Sequence, residues 1–195
     1  MRKIFISVGL MAIFVLIGLN IYLSKFGKSS SSTNPVPQTI IPPVEASEVK
    51  SMDSPDGKLT LIAKTTQKGE QTVYSFSVSG KEIFTKTLDS ATSISIPYNT
   101  WSPDGKYVFL KESGTNGVNF FALSVKDTSI DQSDQTANIT SLFAAKYPDL
   151  IIADVTGWGG VNLIVMNSAK LDGSRGPSFW FEMPSHSLIQ LSTHF

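Results

Sequence analysis

The run Trp101-Ser102-Pro103-Asp104-Gly105-Lys106-Tyr107-Val108-Phe109 holds a tight turn and then the start of a strand. Proline sets φ near −65° at the second turn position. Aspartate accepts from the backbone two residues on, and glycine takes the left-handed conformation that closes the turn. The residues after the turn are aromatic and β-branched, as a half-buried strand requires. The same turn occurs once before, as Ser54-Pro55-Asp56-Gly57-Lys58, again ahead of a strand-like run, Leu59–Lys64. Turn geometry accounts for both carboxylates, so neither Asp56 nor Asp104 is read as catalytic.

Outward from these turns the chain reads as all-β. Further strands are expected at Val73–Val78, Glu82–Leu88, Tyr107–Lys111, Asn119–Val125, Leu163–Ser168, Ser178–Glu182 and Leu188–Leu191. In the run from Val73 to Val78 the alternation is explicit: Val73, Ser75 and Ser77 face one side, Tyr74, Phe76 and Val78 the other. A short helix is expected at Leu142–Tyr147, ended by Pro148. Loops are expected at Ser113–Gly117 and Lys170–Gly176. Phe120-Phe121 and Phe179-Trp180-Phe181 place rings on both faces of their strands, which fits sheets covered on both sides. Packing between sheets is the preferred reading of these rings and of Trp101 and Trp158, over a ligand platform.

The Trp101–Phe109 string resembles the repeat of TolB-like, WD-type β-propellers, in which an aromatic-Ser-Pro-Asp-Gly turn leads into an inner strand. The first copy departs from it by having Asp53 in the place of Trp101. A third, degenerate copy is Gly157-Trp158-Gly159-Gly160-Val161-Asn162-Leu163-Ile164-Val165, which keeps the tryptophan and the strand but not Pro-Asp-Gly. Its continuation, Ser178–Pro184 and then Leu188-Ile189-Gln190-Leu191-Ser192, is similar to the later strands of such a blade. The resemblance spans about residues 50–195 and implies a partial, open three-bladed β-propeller-like domain. A blade takes roughly 40–50 residues and closed rings have about 4–8 blades, so three blades leave open edges. Those edges allow a homodimer that completes a six-bladed ring, an open twisted stack, or another β-sandwich-like arrangement; the open stack is the one expected for this chain.

Ahead of this domain, Ile4–Leu23 is a run of 20 residues without charge, long enough at 1.5 Å per residue to cross about 30 Å of hydrocarbon. It lacks the small-residue cleavage pattern of a signal peptide, so residues 1–28 read as an uncleaved transmembrane anchor with its flanks. Its short N-terminal flank favours N-inside insertion, with the C-terminal domain outside the cytoplasm. Ser29–Val44 carries four serines and then four prolines, Pro35, Pro37, Pro42 and Pro43. Residues 29–49 therefore read as an extended linker that reaches up to about 50 Å.

The chain has 16 basic and 16 acidic residues. Arg2, Lys3, Lys25 and Lys28 lie in residues 1–28 with no acid, so 16 less four leaves 12 basic against 16 acidic, a net −4 beyond the anchor. No basic cluster is present to bind phosphates, which argues against a nucleic-acid partner. Cysteine is absent, which excludes disulfides, thiolate metal sites and a lipoprotein anchor.

No catalytic, cofactor or metal site is read from this sequence. The only histidines are His186, in a turn Pro184-Ser185-His186-Ser187, and His194 near the C-terminus. No G-x-S-x-G nucleophile elbow occurs. Asp127, Asp131 and Asp134 lack the spacing, glycine and terminal glutamate of a calcium loop. Asn138-Ile139-Thr140 matches a glycosylation sequon, a triplet that chance also supplies. The expected role is a membrane-anchored, extracytoplasmic binding or scaffold module with a protein partner. The alternative is an accessory subunit that senses a ligand or glycan between blades.

Overall fold

In the computed structural model the described residues are 46–125 and 136–192. They contain twelve strands grouped in three four-stranded antiparallel sheets, each built from four strands consecutive in the chain. The first sheet comprises β1 (Ser47–Asp53), β2 (Thr60–Lys68), β3 (Gln71–Val78) and β4 (Lys81–Asp89). The second comprises β5 (Ser93–Ser95), β6 (Tyr107–Gly114), β7 (Gly117–Ser124) and β8 (Thr136–Asn138). Helix α1 (Ile139–Lys146) leads from it to the third: β9 (Leu150–Trp158), β10 (Leu163–Lys170), β11 (Arg175–Glu182) and β12 (Ser187–Gln190). No helix among the described residues is long and apolar enough to cross a membrane. The expected span Ile4–Leu23 lies outside them.

The alternation in β3 sorts its side chains as expected. Tyr74, Phe76 and Val78 are buried and join Leu61, Ala63 and Ile83 against Ile94, Val108, Leu110 and Leu123 of the second sheet. The opposite face of the second sheet presents Phe109, Phe120 and Ala122 to Ile164, Met166, Phe179 and Phe181 of the third. The second sheet is therefore covered on both faces, so β6 and β7 read as nearly continuous apolar runs. Phe76, Phe109, Phe143, Phe179 and Phe181 are fully buried, each stabilising the fold by about 2–3 kcal/mol through removal from water.

Helix α1 fills the second of these cores. Asn138 caps it by accepting from the Ser141 N–H at 2.9 Å, so the side chain of the sequon is held in an N-cap. Phe143 meets Phe179 edge-on at 5.0 Å, and Lys146 in the last turn donates to the Leu188 carbonyl at 3.0 Å. The helix begins at Ile139, earlier than the expected Leu142, because Asn138 rather than a later residue supplies the cap.

Several other boundaries move. β6 and β7 extend through Gly114 and from Gly117, which confines the expected Ser113–Gly117 loop to a two-residue turn. Lys170 and Arg175 likewise belong to strands. β1 begins at Ser47, inside the segment read as linker, and β5, β8 and β9 lie where the sequence pattern predicts no strand. Covering on both faces also fails for the third sheet: Phe179 and Phe181 enter the core, but Trp180, pointing the other way, lies outside both core clusters.

Candidate functional site

The two Ser-Pro-Asp-Gly turns make the same set of bonds. Ser54 Oγ donates to Asp56 Oδ1 at 2.8 Å and accepts the Leu59 N–H at 3.0 Å, while the Lys58 N–H reaches Asp56 Oδ1 at 3.1 Å. Ser102 Oγ donates to Asp104 Oδ1 at 2.9 Å and accepts the Tyr107 N–H at 3.0 Å, while the Lys106 N–H reaches Asp104 Oδ1 at 3.2 Å. Gly57 and Gly105 sit at φ +68° and +66°, where a side chain would be strained. Lysine closes each turn over the carboxylate, Lys58 on Asp56 at 3.1 Å and Lys106 on Asp104 at 2.8 Å.

These donors hold Asp56 down to about 2, Ser54 first and Lys58 after it. At Asp104 burial pushes upward, but hydrogen bonds from Lys106 and Ser102 outweigh it and the carboxyl lies below its ordinary value. Both carboxylates are thus occupied as turn acceptors, which is a structural use of Ser54, Pro55, Asp56, Gly57, Ser102, Pro103, Asp104 and Gly105.

The tryptophan position links one sheet to the next. Trp101 is buried and its Nε1–H donates to the Met52 carbonyl in β1 at 3.1 Å. Trp158, at the end of β9, donates to the Thr100 carbonyl at 3.1 Å. Met52 immediately precedes Asp53, and Thr100 immediately precedes Trp101, so each indole reaches the carbonyl one residue before the matching position of the previous sheet. The third copy thus keeps the tie although its turn has changed. There the Gly159 N–H bonds the Leu163 carbonyl at 2.8 Å across a loop one residue shorter than that between Ser102 and Tyr107. Gly157 is required beside it, at φ +133°, because a Cβ would run into the Asn99 side chain that donates to the Thr156 carbonyl.

A charge pair adds to the first of these contacts. The buried Glu112 accepts from Lys86 across the two sheets at 2.6 Å and from Asn119 at 3.0 Å, and the Lys86 ammonium lies 4.8 Å from the centre of the Phe121 ring. Both carboxylate oxygens of Glu112 are thereby engaged, which makes the group a clamp between sheets and not a ligand site.

Chemistry beyond packing is sparse among the described residues. No group of three metal-ligating side chains occurs among them. His186 sits in its turn at φ +53°, stacked on Phe181 at 5.8 Å. Asp172 accepts the Ser174 N–H at 2.8 Å, which makes the 170–175 hairpin another turn closed by an aspartate. His194, Asp127, Asp131 and Asp134 lie outside the described residues.

The surface instead offers apolar side chains. Tyr98 is 96% exposed in the break that Pro97 makes between β5 and Trp101, and Leu171 is 69% exposed at a hairpin tip. Ile151, Val161 and Ile189 stand exposed on and beside the third sheet. Tyr98, Leu171, Ile151 and Val161 are not legible in the sequence, since a lone apolar residue in a turn or an unrecognised strand carries no periodic signal. Ile189 lies in the expected strand Leu188–Leu191, and only its exposure is new. Comparison of the chain with protein-family models, with curated proteins and with solved structures returns no match.

Proposed function

We propose that this chain is a single-pass, membrane-tethered, propeller-like binding or scaffold module whose all-β domain engages a protein partner outside the cytoplasm. The observation that carries the reading is the repeated sheet-to-sheet tie, Trp101 to Met52 and Trp158 to Thr100. It makes three consecutive four-stranded sheets into one rigid support for exposed loops, the arrangement expected of a blade-like stack. Exposed apolar side chains at Tyr98 and Leu171 are the kind of surface that a partner covers. The alternative, a ligand- or glycan-sensing subunit with a site between sheets, has less support. Trp101 is buried between the first two sheets, and phenylalanines fill the space between the second and third.

A photo-crosslinking residue placed at Tyr98 or Leu171 of the full chain, in intact cells, tests the reading. A discrete adduct from either position, with none from Ser75 or Thr85 on the first sheet, is expected. Digestion of the domain by protease added outside the cell is also expected. Identical adduct patterns at all four positions, or complete protection from external protease, would overturn it.

A further inference from the structure

We infer that the outer face of the third sheet is a self-association surface on which a second copy of this chain docks about a two-fold axis. The inference rests on the stacked-sheet reading and not on the membrane tether. Val165, Trp180 and Ile189 are directly paired across β10, β11 and β12, so they share a face. The next register row, Met166 with Phe179, faces the core instead, which sets the Val165 row on the opposite side. Ile151 lies on that side too, since its neighbour Ile152 packs inward. Ile151 and Ile189 are 50% and 44% exposed. Gly159 lies against both Val165 and Trp180, which leaves Val165 buried and Trp180 half-buried. The apolar groups this face offers to solvent are therefore Ile151, Ile189 and the open part of the Trp180 ring.

The same stack indicates what continues it. Within the chain, one sheet after another presents an apolar row to the next. The outer face of the first sheet is mainly polar: its rows are Ser47-Thr66-Val73-Thr87, Val49-Lys64-Ser75-Thr85 and Ser51-Ile62-Ser77-Glu82, in which hydroxyls and charges outnumber Val49, Ile62 and Val73. Ser75 there donates to Glu82 at 2.7 Å, a polar pairing left in solvent. Stacks of repeats end in such polar faces, and an apolar outer face marks an end that is not capped.

Head-to-tail addition of a second copy would press the apolar face onto the polar one. It would also bring Asp53, a carboxylate, where the internal contacts use an indole N–H. Pairing of the third sheet with the third sheet of a second copy matches apolar to apolar. It also matches charge: Asp154 and Arg175 are both exposed on this face, on β9 and β11. A two-fold axis along β10 exchanges those two strands and brings Arg175 within two register positions of the second copy's Asp154, and the reverse. Such a self-complementary patch closes as a dimer and does not propagate. Glu182, at the rim, is already held by Asn162 at 2.8 Å.

The full chain in detergent micelles, its mass read by light scattering, tests this with a charge exchange. The wild type is expected to be a dimer. Asp154→Arg or Arg175→Asp alone sets like charges together and weakens association by at least about tenfold, and the double variant restores it. A monomeric wild type, a dimer indifferent to both single changes, or a double variant as weak as the singles would overturn the inference. Should the charge variants fail to fold, the absence of cysteine from the chain provides a second readout. Ala169→Cys, on β10 beside the proposed axis, gives each chain a single thiol that a bismaleimide cross-linker can join only to the thiol of a second copy. No covalent dimer from that folded variant would equally overturn it. None of these results depends on adducts at Tyr98 or Leu171, so the failure of one reading is distinguishable from failure of the other.

Discussion

The first and third sheets are built alike and finished differently. Both are four-stranded meanders that bury one face against the second sheet. On the outer face, however, the first carries hydroxyls, Lys64 and Glu82, while the third carries Val165, Trp180 and Ile189. The turn position differs in the same sense. Asp53 accepts locally from Thr60 at 2.7 Å, whereas Trp158 bonds the sheet before it. A stack of like units has two ends, and the chemistry of those ends distinguishes the one that stops from the one that continues.

Two pairs of substitutions and an acid titration probe the contrast between the sheets, and core truncation has the largest effect. Phe179→Ala in the third-sheet core and Phe76→Ala in the first are each expected to destabilise by about 3–5 kcal/mol. Phe179 should cost more, because it meets both Phe143 at 5.0 Å and Tyr147 at 4.7 Å, whereas the ring beside Phe76 is Phe84, at 6.0 Å. Denaturant unfolding of both variants gives the ranking. A single transition in each would mean that the two cores melt together, as a sheet shared between them demands. Two transitions would separate the ends into independent units.

Next come the indole ties. Trp101→Phe keeps a ring but removes the indole bond to the Met52 carbonyl, at a cost of about 1–2 kcal/mol. Trp158→Phe should cost less, since Trp158 is half-buried whereas Trp101 is buried. Thermal unfolding of the two single variants and the double reads this. Equal losses would mean that burial does not separate the two ties.

The smallest effect is that of acid. The folded turn lowers Asp56 to about 2 from its ordinary 3.8, and lowers Asp104 also. A depressed carboxyl stabilises the fold above its unfolded value, and that contribution disappears as pH falls through the folded one. The turns before β2 and β6 should therefore loosen between about pH 4 and pH 2, while the loop 159–162, which has no carboxylate, does not. Amide NMR shifts of Lys58 and Lys106 report the first, and that of Gly159 the second. Parallel movement of all three amides would mean global unfolding rather than titration of the turns.

Much of this architecture is legible from side chains alone. Ser54 to Lys58 and Ser102 to Lys106 announce their turns, because proline and glycine restrict φ whatever surrounds them. β3 announces its buried face, since a strand with one face in the core must alternate. β1 does not, because it is an edge strand with six of its seven residues exposed and only Met52 packing inward. β9 does not either: register shifts opposite Val165/Met166 and Asn167/Ser168 break the alternation that would reveal it. Trp101 and Trp158 are visible as a repeated residue, but their acceptors are backbone carbonyls, which every residue possesses. Forces local to a few residues thus set the turns, the strand class and the tryptophan positions, and these are written in the amino-acid order. Which sheets cover the two faces of the second, that Met52 and Thr100 receive the indoles, and that Trp180 points away from the core emerge only in the assembled fold. Those outcomes depend on which sheets meet, and sheets meet through contacts far apart in the chain.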